Sequence, residues 1–257
     1  TRTTEAIHER MQVYEQVLRG GVAFFRGSEH VSRTDWRDFV ATLEIDKYWP
    51  GIQGVGYAAM VAPEARADFV AGVRREGFPD FDIKPPGERD QYSSIIYLEP
   101  FVRRNLRAFG YDMLSEPTRR AAMVHARDSG EIAVSGKVTL VQETETDVQA
   151  GFLMYLPLYR EGASTGNVDE RRAALRGFVY SPFRMRDLMQ GIHGQASPLV
   201  HFKVYDGDTI SAERMLHDSS AGEPVRARPP AFASIERIPL PGRQWTVSIE
   251  SSAAFEA

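Results

Sequence analysis

Apolar side chains at Ile7, Met11, Tyr14 and Leu18 follow a 4-3-4 spacing that predicts a helix from almost the first residue to about residue 25. The stripe fits either a surface helix packed on its own domain or a stalk that pairs with a second copy. Gly20 and Gly21 interrupt or kink it. Thr34 reads as the N-cap of a second helix, with Trp36, Phe39, Val40 and Leu43 on its apolar face. "GIQGVGYAAMV" (51–61) is a glycine-rich strand, and Pro63 opens a helix that stops at Gly77. "DFDIKPPGERDQYSSIIYLEP" (80–100) supplies two short strands around a Pro-Pro-Gly turn. Helices are predicted over 101–110 and 117–130. "EIAVSGKVTLVQE" and "AGFLMYLPLY" read as a hairpin joined by an acidic tip, "TETDVQ".

Residues 160–177 are polar and without an apolar stripe, which predicts a linker or long loop. After it come a strand ("RGFVYSPF"), a helix ("RMRDLMQGIHG") and further strands at "LVHFKVYDG", "ERMLHDSS" and "FASIERIPLPGRQWTVSIES". The expected fold is α+β: a long N-terminal stalk helix, then two tandem PAS-like subdomains with antiparallel sheets. The expected divisions are 1–48 for the first two helices, 49–162 for the first subdomain and 163–257 for the second.

Composition narrows the function. The 257 residues are 42% hydrophobic and 26% charged, ordinary for a chain with a real core. A net charge of −4 gives no broad basic field for nucleic acid. Cysteine is absent, so disulfides, thiolate zinc sites and thiol catalysis are excluded. No apolar run reaches the roughly 18 residues of a membrane span. The abrupt helical start fits either a surface helix of the same domain or a stalk cut from a longer receptor.

Most candidate motifs fail on spacing. Between Gly130 and Gly136 lie five residues, and Val138 follows Lys137, which rules out a Walker phosphate loop. Gly51, Gly54 and Gly56 do not match a dinucleotide fingerprint. The six histidines are dispersed, no nucleophile elbow exists, and "YDGDT" lacks most calcium-ligand positions, so it reads as a hairpin turn. No metal set or cofactor motif remains. "ETETD" reads as a solvated hairpin tip and "RRAAMVHAR" as a charged helix face.

Asp112, in "AFGYDMLSEP", stands out because a carboxylate in an apolar setting is costly unless paired or hydrogen-bonded. It is either a structural pin, paired with Arg104 or Arg107 or with the turn before Ser115, or an acceptor for a ligand bearing N–H groups. A carboxylate is acceptor-only and takes two such donors at once. Tyr92, Tyr97, Met113, Phe152 and Met154 are the candidate walls of a pocket around it.

The run "GYDMLSEPTRRAAMVHARDSGEIAVSGKVTLVQE", followed by "GFLMYLPLY", resembles the CHASE domain, the extracellular sensor found ahead of histidine kinases and diguanylate cyclases. "GIQGVGYAAMV", "DIKPPGERDQYSSIIYLEPFVRRN", "RGFVYSPFRMRDLM" and "VYDG" match in order, over roughly residues 40–215. The resemblance implies a membrane-distal and a membrane-proximal PAS-like subdomain, a transmembrane helix on each side, and an extracytoplasmic place. It also implies a homodimer through the N-terminal helix and a kinase or cyclase output on another part of the receptor. In the plant cytokinin receptors of this family an aspartate of the distal subdomain binds an adenine ring. By its place in the motif that aspartate is Asp112, and Val134 matches a backbone contact to the ring. The plant receptors have "LTSPF"-like sequence where this chain has Val134-Ser135-Gly136-Lys137-Val138, so the resemblance implies a small-molecule sensor more than it implies an adenine-type ligand. Two other readings remain: an empty PAS-like pair acting as a dimerisation or protein-interaction module, and an enzyme using Asp112 as general base, which lacks any partner nucleophile, metal or oxyanion motif.

Overall fold

The computed structural model describes residues 2–143, 147–193, 199–223 and 228–256. Helix α1 (Arg2–Arg26) leads to α2 (Arg33–Thr42), the short α3 (Ile45–Tyr48) and strand β1 (Val55–Val61). Then come α4 (Arg66–Arg75), β2 (Tyr92–Glu99), α5 (Pro117–Ser129), β3 (Ala133–Val134) and β4 (Gly151–Tyr159). The second part contains α6 (Val168–Ala174), β5 (Leu175–Arg184), α7 (Met185–His193), β6 (Val200–Asp206), β7 (Met215–Asp218), β8 (Ala233–Leu240), β9 (Arg243–Ser251) and α8 (Ala253–Glu256). Two antiparallel sheets result, as expected: five strands in the order β2-β1-β5-β4-β3, and four in the order β7-β6-β9-β8.

The first sheet is covered on both faces. One face carries Tyr57, Tyr97, Met154, Val179 and Phe183 into a core shared with α1, α2 and the second sheet. The other carries Ala58, Ile95, Tyr155, Phe178 and Tyr180 against Ala122, Met123 and Ala126 of α5. The shared core bridges the two sheets directly, since Phe152 meets Trp245 edge-on with centroids 5.0 Å apart.

Helix α1 uses its apolar stripe internally. Ile7, Met11, Tyr14 and Leu18 are all buried in the shared core, each such burial contributing ~1.5–3 kcal/mol. Tyr14 lies tilted against Phe183 with ring centroids 5.1 Å apart, and its hydroxyl donates to the Pro50 carbonyl. Toward its start the helix is tied to the second sheet, where the Thr4 hydroxyl donates to Glu236 of β8 at 2.6 Å. Toward its end it is tied to the first: Phe25 lies 4.6 Å from Tyr57, and a Cβ on Gly21 would sit 2.9 Å from Val179. The stripe expected to pair two copies is therefore already occupied.

Other expectations are corrected. The cap of α2 is Ser32, not Thr34: the Ser32 hydroxyl accepts from the Asp35 N–H at 3.2 Å, and Asp35 accepts from the Ser32 N–H at 2.8 Å, a complete capping box. Residues 80–84 form no strand, only a single bridge from Lys84 to Tyr111. The expected helix at 101–110 is a 3-10 segment, Arg103–Ala108. The polar stretch read as a linker contains α6, capped by Asn167. Strand β5, expected to open the second subdomain beyond residue 163, is the central strand of the first sheet, hydrogen-bonded to β1 and β4. Central strands buried on both faces read as continuous apolar runs, so "GFVYSPF" carries no sign of which sheet it joins. The acidic tip is not simply solvated: Glu143 is buried and ion-paired to Arg184 at 2.8 Å, and Asp147 accepts from the same guanidinium at 2.8 Å. Residues 144–146 of that tip lie outside the described residues.

Candidate functional site

The segment 110–112 is held between two extended stretches. Gly110 donates to Ile95 at 2.9 Å and Ile95 to the Tyr111 carbonyl at 3.1 Å. On the other side Lys84 donates to Gly110 at 2.9 Å and Asp112 to the Lys84 carbonyl at 2.6 Å. Gly110 has φ +81° and a Cβ there would lie 2.3 Å from the Asp82 carbonyl, so the close approach requires glycine. The Ser115 hydroxyl then donates to the Asp112 carbonyl at 2.6 Å and turns the chain toward α5.

This places the Asp112 carboxylate at 0% exposure. Its Oδ1 accepts from the backbone N–H of Ser93 at 2.8 Å and of Leu114 at 3.0 Å. Its Oδ2 has no hydrogen bond, and the neighbouring cation is Arg89, with Nε at 3.4 Å. Burial pushes the carboxyl above the usual carboxylate range, opposed by the two backbone donors and then by Arg89 and Arg120.

Arg89 folds back on its own loop, donating to Pro85 at 3.1 Å and Gly87 at 3.3 Å. It lies 5.6 Å from the centroid of Tyr92, whose hydroxyl donates to Gly87 and accepts from the Arg89 N–H. Arg66 approaches the same ring at 5.7 Å and pairs with Asp82, while its Nε has no partner. Arg66, Arg89, Tyr92, Glu88 and Asp90 line an open cleft of about 590 Å³. Asp112 is not on the lining; Arg89, which is, connects it to the cleft. Behind it the layer is filled: Met113, Tyr155 and Tyr180 are buried, the Tyr155 hydroxyl reaches only the Met113 sulfur at 3.5 Å, and the Tyr180 hydroxyl has no partner.

The sequence-derived set separates. Arg89 links Asp112 to Tyr92, while Met113 packs with Tyr155 and Tyr180 in the cluster under α5 and Tyr92 in a separate cluster with Phe81 and Ile83. Tyr97, Phe152, Met154 and Val134 belong to the core on the α1 side of the sheet. The Tyr97 hydroxyl donates to Val31 at 2.9 Å, and the Val134 N–H donates to Pro241 at 3.0 Å, so that backbone donor is engaged with the second sheet. Arg104 and Arg107, the expected partners of Asp112, instead approach Glu143. The residues missed are Arg89, Ser93, Tyr155 and Tyr180. Tyr155 had a weak signal, its odd position in β4 placing it opposite Phe152 and Met154, but a strand apolar on both faces does not declare its parity.

A family model, the CHASE domain, matches residues 29–217. Solved structures share the fold at low identity. The ligand-binding domain of the Pseudomonas aeruginosa PAO1 amino acid chemoreceptor PctC, in complex with GABA, superposes with TM-score 0.54 at 12% identity, covering 96% of this chain and 93% of that one. The ligand-binding domain of PctB from the same organism, in complex with L-Arg, gives 0.50 at 10% identity, covering 98% and 91%. The extracellular domain of a putative histidine kinase gives 0.50 at 10% identity, covering 100% and 91%. No curated protein is a match for the sequence.

Proposed function

Because the chain belongs to the CHASE domain family, a family of extracytoplasmic sensor domains, we propose that it senses a small molecule through Asp112, in the subdomain built on the five-stranded sheet. The observation that carries this reading is the Asp112 Oδ2: buried, without a hydrogen-bond donor, and ion-paired at 3.4 Å to Arg89, a residue that lines the cleft. A ligand nitrogen that is both a donor and a cation can replace Arg89 without leaving the carboxylate uncompensated. We therefore favour an ammonium- or guanidinium-bearing ligand, in keeping with the amino-compound ligands of the two chemoreceptor domains. An adenine-type ligand offers neutral N–H donors and is the second candidate. Signalling then requires unequal ligand affinity for two arrangements of the domain. The receptor would be anchored by flanking transmembrane helices and carry its kinase or cyclase output elsewhere. Among the described residues no helix is long and apolar enough to cross a membrane. A homodimer through α1 would have to use the face bearing Glu5, Glu9, Gln12 and Val13.

The alternative, a ligand-free interaction module, is favoured by the filled layer behind Met113. A thermal-shift and calorimetric panel of GABA, L-arginine, adenine and cytokinins separates the two. A saturable rise in Tm is expected with an amine-bearing compound, since ligands that bind only the folded state stabilise it. Asp112→Asn should weaken that binding about 10–100-fold, the equivalent of one charge-assisted hydrogen bond of ~1.5–3 kcal/mol. Undiminished affinity in Asp112→Asn would overturn the assignment.

A further inference from the structure

On the opposite face of the first sheet, the last turns of α1, the end of β4 and the loop leading to α6 enclose a second cleft of about 670 Å³. Three arginines line it: Arg19, Arg26 and Arg160. Only Arg19 is neutralised, by Glu15 at 2.6 Å and Glu131 at 3.4 Å. Arg26 and Arg160 have no acidic partner among the described residues. Glu161 is the one carboxylate on the lining. With Arg19 neutralised, Arg26 and Arg160 outweigh Glu161, leaving a net positive charge on the lining in a chain whose net charge is −4.

The walls are fixed rather than loose. Arg171 ties the rim loop down, donating to Thr165 and to Asp128, each at 2.8 Å. The Gly166 N–H donates to Glu170 at 2.8 Å, and the Tyr159 hydroxyl to Arg127 at 2.7 Å. Arg160 is anchored by its own backbone N–H to Ala174 at 2.8 Å. The two guanidiniums stand on a helix end and a pinned loop, so like charges are held in one cleft with Glu161 the one carboxylate on its lining. A guanidinium presents parallel N–H donors whose spacing matches the oxygens of a phosphate or carboxylate.

We propose that this cleft is a second binding site, for a small multiply charged oxyanion, held by Arg26 and Arg160 with Arg19 at the edge. The occupant would bridge α1 and the β4–α6 loop. Its assignment is independent of Asp112, which lies on the other side of the sheet.

The test is a Tm titration of the intact chain with sodium pyrophosphate and, separately, citrate, against sodium chloride at matched ionic strength. A saturable rise with either anion, absent with chloride, is expected, and the tighter of the two names a phosphate-bearing or a polycarboxylate source. The double variant Arg26→Gln, Arg160→Gln should weaken binding at least tenfold while keeping the anion-free Tm, because both side chains are exposed. Asp112→Asn should bind the anion as the native chain does. A response equal to that of chloride, or unchanged in the double variant, overturns the proposal.

Discussion

Replacing Asp112 by Ala and by Asn should give two different stabilities, because the carboxylate has two separable duties. Its Oδ1 is the acceptor for two buried N–H groups, of Ser93 and Leu114. Alanine orphans both, and each buried unsatisfied donor costs about 1–3 kcal/mol. Part of this is offset because a charge with a raised pKa is no longer buried. The net expectation for Asp112→Ala is a loss of about 2–4 kcal/mol, or roughly 4–16 °C in Tm at the 2–4 °C per kcal/mol of a chain this size. Asparagine keeps a carbonyl oxygen where Oδ1 stood, and puts an uncharged NH2 where Oδ2 faced Arg89, whose part-exposed side chain can turn to solvent. Asp112→Asn should therefore cost under about 1 kcal/mol. Urea unfolding at pH 7, read by far-UV circular dichroism with no ligand present, measures both. If Asn were as damaging as Ala, the ion pair with Arg89 and not the backbone acceptor role would be holding the segment. If neither variant lost stability, the N–H groups would have other acceptors and the pinning argument would fail.

Protonation of the same residue gives a second expectation. Burial raises the folded pKa of Asp112 above its unfolded value near 3.9. Between those two values the native state holds more protons, so the Asp112 contribution must fall as pH rises through that window. The stability of the native chain minus that of Asp112→Asn should decline from about pH 4 upward and then flatten; a rise would contradict the desolvation argument. A cationic ligand should release protons on binding in this range in the native chain and none in Asp112→Asn, which calorimetry in two buffers detects. Elsewhere, Arg184→Met should cost about 3–5 kcal/mol in equilibrium unfolding, because it strands buried Glu143. A loss below about 1 kcal/mol would mean that Arg104, 3.9 Å from Glu143, takes over the pairing.

Much of the architecture was legible because each level of the chain agrees with the next. The 4-3-4 stripe of α1 is a helix, and Gly130 closes α5 in the left-handed conformation, whereas "FASIERIPLPGRQWTVSIES" is two strands, β8 and β9, joined at "PLPGRQ". The stripe could not say which surface it meets, since the same spacing suits a partner helix or the body of its own domain. Asp112 stood out as a polar residue among apolar ones. Its partner did not, because Arg89 is 23 residues back and reaches it only when the Pro-Pro-Gly loop folds over β2. Arg104 and Arg107 were nearer in sequence and went instead to the acidic tip. The pocket walls failed for a different reason. Phe152 and Met154 alternate correctly with Tyr155, but in a strand buried on both sides nothing distinguishes the ligand face from the core face.

The seating of α1 has a mechanical consequence. A helix of 25 residues is about 37 Å long. It behaves as a beam bolted near one end to the second sheet, through Thr4 and Glu236, and near the other to the first, through Gly21 and Phe25. Tyr14, pressed on Phe183 between those bolts, is the natural fulcrum. Because one bolt is a hydrogen bond and the other a packed contact, a turn of one plate against the other would be expected to tilt the beam. A tilt of about 5° about its middle would carry the two ends about 1.5 Å in opposite directions. If binding shifted the first sheet against the second, the change at Arg2 would be a displacement rather than a change in shape.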